Sequence, residues 1–151
     1  MSRVTEAEAL ALLSDTMRCI DIGDWLPARQ QPNTWVCGSG VVDLEGVRST
    51  LSVELLFRRS PKTGMIWYKF SVFRRYAWGT EGVYQLDVQQ YAKPLKNSHD
   101  MPHEHLGNRR IEGCTEWASW SFEEILRYFK ERTHIDFEPP VMHPENFELK
   151  G

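Results

Sequence analysis

Three consecutive segments whose polarity alternates every second residue limit the architectures open to this chain more than any other feature. In residues 50–59, Leu51, Val53, Leu55 and Phe57 fall on one side, and Thr50, Ser52 and Glu54 on the other. Side chains alternate across a strand, so this pattern describes a strand with one buried and one wet face. Ser60-Pro61-Lys62-Thr63-Gly64 supplies the turn residues of a hairpin. The return segment, 65–76, groups Ile66, Tyr68, Phe70 and Val72 against Trp67, Lys69, Ser71 and Phe73. A second turn is expected over 77–82, followed by a strand over 83–90 with Tyr84, Leu86 and Val88 opposite Gln85, Asp87 and Gln89. Residues 35–44 make an earlier strand, in which Gly38 and Gly40 suggest a bulge or a close backbone approach. Strands joined by short turns pair antiparallel, which predicts a meander of four to five strands.

Helical signals bracket the strands. Residues 1–19 read as a helix, because Thr5-x-x-Glu8 is a capping box and Leu10, Leu13, Met17 and Ile20 follow at helical spacing. Residues 21–33 contain Gly23, Pro27 and Pro32 and read as a loop pinned to the core by Trp25 and Leu26. Near the C-terminus, Ser121-x-x-Glu124 forms a second capping box, with Trp120 and Ile125 spaced as a hydrophobic staple. Phe122, Ile125, Leu126 and Phe129 then make the apolar stripe of a helix ending near Arg132. Residues 91–108 read as irregular, and the tail with Pro139, Pro140 and Pro144 as extended. The expected fold is α+β, an antiparallel meander flanked by an N-terminal and a C-terminal helix, in a single domain spanning 1–151.

Composition narrows the function classes. With 41% apolar and 26% charged residues in 151, the chain has the balance of a globular protein. Six Trp, seven Phe and five Tyr allow a dense core without disulfides. A net charge of −3 argues against a protein that holds nucleic acid through its overall field, although the pairs Arg58-Arg59, Arg74-Arg75 and Arg109-Arg110 can grip phosphates locally. Cys19, Cys37 and Cys114 are odd in number and widely spaced, which suits a reducing compartment and inert thiols. With neither a signal-peptide pattern nor a long apolar run, the expected location is the cytoplasm, without a membrane partner. No phosphate-binding glycine loop or serine-hydrolase elbow is present.

The residues most suited to chemistry are His99, His103 and His105, in a segment that also carries Asp100 and Glu104. If residues 102–106 are extended, His103 and His105 project from one face and their imidazoles can converge. An imidazole pair can present one neutral base and one protonated acid near neutral pH, as RNA cleavage by the ribose 2′-hydroxyl requires, with no cofactor. The same geometry also suits a metal, with Asp87 or else His99 as third ligand. Asp87 stands on the polar side of its strand, where it can orient a histidine, bind a metal or pair with an arginine. Arg109 and Arg110 follow directly and can hold a phosphate or contact Glu112 and Glu116.

Residues 84–129 resemble the TumE family of small bacterial toxins, which act in pairs with a helix-turn-helix antitoxin. The resemblance is carried by Leu86-Asp87, His99, Pro102-His103-Glu104-His105 and the helix from Ser121. It implies a toxin-like ribonuclease with His103, His105 and Asp87 as catalytic residues, and Arg109, Arg110 and His99 binding substrate. RNA and a cognate antitoxin, or another protein, are the partners it implies. A likeness to bacterial domains with a Leu-Asp strand rests on Lys96-Asn97, His103-Glu104-His105 and Trp117-Ala118 and implies no activity. Two further readings remain open. One is a non-enzymatic phage or mobile-element factor that blocks a host complex. The other is a metal-dependent hydrolase built on His103, His105 and Asp87.

Overall fold

The computed structural model describes residues 2–90 and 101–146. Its framework is a nine-stranded sheet, joined by two α-helices. The strands are β1 (Met17–Cys19), β2 (Leu26–Pro27), β3 (Thr34–Val42), β4 (Arg48–Arg59), β5 (Ile66–Tyr76), β6 (Gly79–Gln89), β7 (His103–Leu106), β8 (Arg109–Glu112) and β9 (Ile135–Phe137). The helices are α1 (Glu6–Leu12) and α2 (Phe122–Thr133). Strand order is β8-β7-β6-β5-β4-β3-β1-β9, with β2 alongside β3. From β3 to β8 each strand pairs antiparallel with the next, which is the expected meander. β1 runs antiparallel to β3, and β9 joins β1 in parallel.

The meander is longer than the four to five strands expected. β7 and β8 hold four residues each, and β1 and β9 three, too few to display an alternation in sequence. The segment expected to be irregular therefore contains β7 and continues through a two-residue turn into β8. The second expected turn also shrinks to Ala77 and Trp78, because Tyr76 already pairs with Gly79. The N-terminal helix is likewise shorter than expected. Both capping boxes form, with Thr5 and Ser121 accepting from the backbone of Glu8 and Glu124. However, α1 ends at Leu12, and Met17 lies in β1, where its amide donates to the carbonyl of His134 at 2.9 Å. Leu13 and Met17 are both buried, so their helix-like spacing arose from burial in two different elements. Trp25 is buried and its indole N–H donates to the Met142 carbonyl at 2.8 Å, whereas the neighbouring Leu26 is exposed.

One face of the sheet carries the core. The register aligns Leu55, Phe70 and Leu86 in one row, and Val53, Val72 and Tyr84 in the next. Against them α2 lays its apolar stripe: Phe122 and Phe129 meet Phe70 edge-on, and Phe129 also meets Tyr84. Burying each such side chain stabilises the fold by about 1.5–3 kcal/mol. α1 serves the same core through Ala9. The opposite face carries Lys69, Ser71, Gln85 and Asp87, and among the described residues neither α-helix packs its apolar stripe there.

Candidate functional site

The open face gains its chemistry from cross-strand register. Asp87 stands directly opposite Lys69 on β5 and His103 on β7, and His103 stands opposite Glu112 on β8. The next row reads Ser71, Gln85, His105 and Arg110. Paired residues share a face, so two rows gather His103, His105, Asp87, Lys69, Gln85 and Arg110 on one patch. Because β7 is extended, both histidines project to the same side. Their rings touch edge to face, with centroids 4.9 Å apart and planes at 89°.

Asp87 is held from two sides. The Trp67 indole N–H donates to Oδ1 at 2.6 Å, while Oδ2 lies 4.0 Å from Nε2 of His103. The other ring nitrogen of His103, Nδ1, is 2.8 Å from the Met101 carbonyl. A carbonyl only accepts, so Nδ1 carries the hydrogen and Nε2 is the atom turned to Asp87. His103 itself is buried, 7% exposed. His105 is half-exposed, and burial is the chief cause that lowers its pKa below the ordinary 6.5. His103 and Arg110 lower it further, and Asp87 opposes them. An imidazole so placed is held neutral and able to take up a proton.

His105 opens onto a groove of about 510 Å³ that also exposes Phe73, Gln85, Asn108 and Arg110. A bulge on β6 borders it: Val72 pairs with Tyr84 but Phe73 with Gly82, so Val83 is an extra residue. Val83 and Tyr84 are consequently both buried. Arg110 faces the groove and its Nε is 2.6 Å from Glu112. Arg109 alternates to the helix-covered face, where it pairs with Glu6 of α1 at 2.8 Å. The structure thus brings His103, His105, Asp87 and Arg110 together and leaves Arg109 out of the group. His99 lies outside the described residues. Among the described residues, no three His, Cys, Asp or Glu side chains are grouped so as to hold a metal ion. Lys69, Trp67, Gln85, Phe73 and Asn108 join the site only through the fold. The signal that could have found the first four was period-two alternation, which puts them on the polar side of β5 and β6.

Glu104, between the two histidines, points to the opposite face. It is 3% exposed and accepts from Tyr84 Oη at 2.6 Å, Tyr128 Oη at 2.9 Å and Arg132 Nε at 2.8 Å. This clamp ties β7 to β6 and α2, and so fixes the strand from which both histidines project. The two buried thiols take no part: burial raises Cys19 to about 11 and Cys37 to about 12.

Fold and site together define an α+β protein with one helix-covered face and histidines on the other. No family model, curated protein or solved structure matches the chain. No helix among the described residues is long and apolar enough to cross a membrane.

Proposed function

We propose that the open face is an acid–base site that cleaves RNA, as in a toxin-like ribonuclease. The observation that carries this reading is His105: an imidazole kept neutral by burial and by its charged neighbours, opening onto a groove beside a guanidinium. His105 takes the proton of a ribose 2′-hydroxyl as its oxygen bonds to phosphorus. The bond from phosphorus to the 5′-oxygen breaks, and the same imidazole returns the proton to that oxygen. The products are a 2′,3′-cyclic phosphate and a 5′-hydroxyl end. Arg110 offers a planar fork of donors to the phosphate as charge gathers on it. His103, set behind His105 and backed by Asp87, is a positioning residue in this scheme.

The test is incubation of purified protein with RNA and with DNA of the same sequence, followed by analysis of the ends. Cyclic phosphate ends from RNA alone are expected, with activity lost in His105→Ala and reduced in Asp87→Asn. Equal turnover by wild type and His105→Ala would refute the reading. So would expression in bacteria if wild type and the His103→Ala/His105→Ala double variant allow the same growth.

A further inference from the structure

We infer that the groove beside His105 takes one unpaired nucleotide of a single-stranded RNA, its base stacked on the ring of Phe73. The inference rests on reading the site as one that acts on RNA, and it names the form of RNA admitted. Phe73 lies on the histidine-bearing face of β5, two residues beyond Ser71 and next to the β6 bulge, and is among the residues that line the groove. Aromatic rings on a sheet face bind nucleic acid through the flat faces of bases, which a duplex keeps covered. The groove volume of about 510 Å³ falls within the range of small-ligand sites, roughly 300–1,000 Å³, and suits one nucleotide rather than a helix.

The polar lining is ordered as a nucleotide requires. Gln85 and Asn108 present carboxamides, each with two donors and an acceptor, the complement of a base edge. Arg110, directly across from His105 on β8, supplies positive charge where the phosphate must sit for His105 to reach the ribose. Glu81 is also on the lining, 3.8 Å from Nε of the exposed Arg3. Phe73 on β5, Gln85 on β6, His105 on β7 and Arg110 on β8 stand on successive strands along the lining, a succession that base, sugar and phosphate can fill.

Fluorescence anisotropy of the full chain with a labelled 2′-O-methyl RNA strand tests this, since the blocked 2′-oxygen separates binding from cleavage. The probe is used alone and annealed to its complement. The single strand is expected to bind at least about tenfold more tightly than the duplex. Phe73→Leu keeps apolar bulk without a flat ring and should weaken single-strand binding about 5- to 150-fold, while Phe73→Tyr should bind like wild type. Equal affinity for strand and duplex, or unchanged binding by Phe73→Leu with its fold confirmed by circular dichroism, would overturn the inference. If the strand binds as expected but the unmethylated RNA is never cut, the groove assignment stands and the cleavage reading fails.

Discussion

Removing a single oxygen from the Glu104 clamp provides a clean measure of how β7 is held. Tyr84→Phe deletes the hydroxyl that donates to Glu104 Oε1 at 2.6 Å and leaves the ring against Phe129 in place. Tyr84 is 1% exposed and Glu104 3%, so no water reaches the bond to replace it. Burial and the neighbouring Glu104 carboxylate push the Tyr84 phenol far above its usual range, so it stays a protonated donor across the working pH range. Glu104 retains the donors of Tyr128 and Arg132, so the carboxylate is not stranded and no large cavity forms. The loss should therefore be that of one hydrogen bond to a charged acceptor, about 1.5–3 kcal/mol. For a chain of this size that corresponds to a fall in Tm of roughly 3–12 °C. Tyr128→Phe removes a hydroxyl on the same carboxylate from a half-exposed position, where water can substitute, and should cost less than about 1 kcal/mol. Urea denaturation followed by tryptophan fluorescence, with equal m-values, gives both numbers. A Tyr84→Phe cost below about 0.5 kcal/mol, or one no larger than that of Tyr128→Phe, would refute the account of the clamp.

Two further outcomes follow from the same geometry. The His105 imidazole should titrate below 6.5 in a proton NMR pH series, because burial and its cationic neighbours disfavour the charged ring. The unfolded chain then binds more protons than the folded one as pH falls below 6.5. His105 therefore contributes stability that is present above that pH and lost as pH drops through the folded value. His105→Gln should flatten this decline in urea midpoints, and an unchanged decline would count against it. At Gly107, φ is +58° and an added Cβ would lie 2.5 Å from the Thr5 carbonyl oxygen and 2.6 Å from that of Val4. Gly107→Ala should thus cost at least about 2 kcal/mol, combining backbone strain with a forced shift of the α1 entry. Gly23→Ala, with φ +74° but open space around it, should cost only about 1 kcal/mol. Thermal melts that rank the two equally would contradict the close approach.

The long strands β4, β5 and β6 and both helix starts were legible in sequence because their signals are local. Alternation over six to eight residues and a capping box are each contained within a short stretch of chain. The sequence misled where burial came from distant partners. Met17 looked like the next turn of a helix, yet it is buried because β9, more than a hundred residues later in the chain, lies beside it. Short strands escaped because four residues cannot show a period. The pairing of His103 with His105 on one face was readable from the i, i+2 spacing, given an extended β7. The separation of Arg109 from Arg110 needed that same alternation carried into β8, a strand that sequence did not reveal.

By itself the sequence determined an α+β chain built on an antiparallel meander, with Asp87 on its polar side and His103 and His105 on one face of an extended segment, because strand periodicity fixes which side chains share a face. Only the tertiary structure decided which of these groups meet and what each can reach. Register set Asp87 opposite His103 and Arg110 opposite His105. The Glu104 clamp fixed β7, and packing left His105 on a groove with His103 buried behind it. Cross-strand register depends on the pairing of residues far apart in the chain, and no local pattern encodes it.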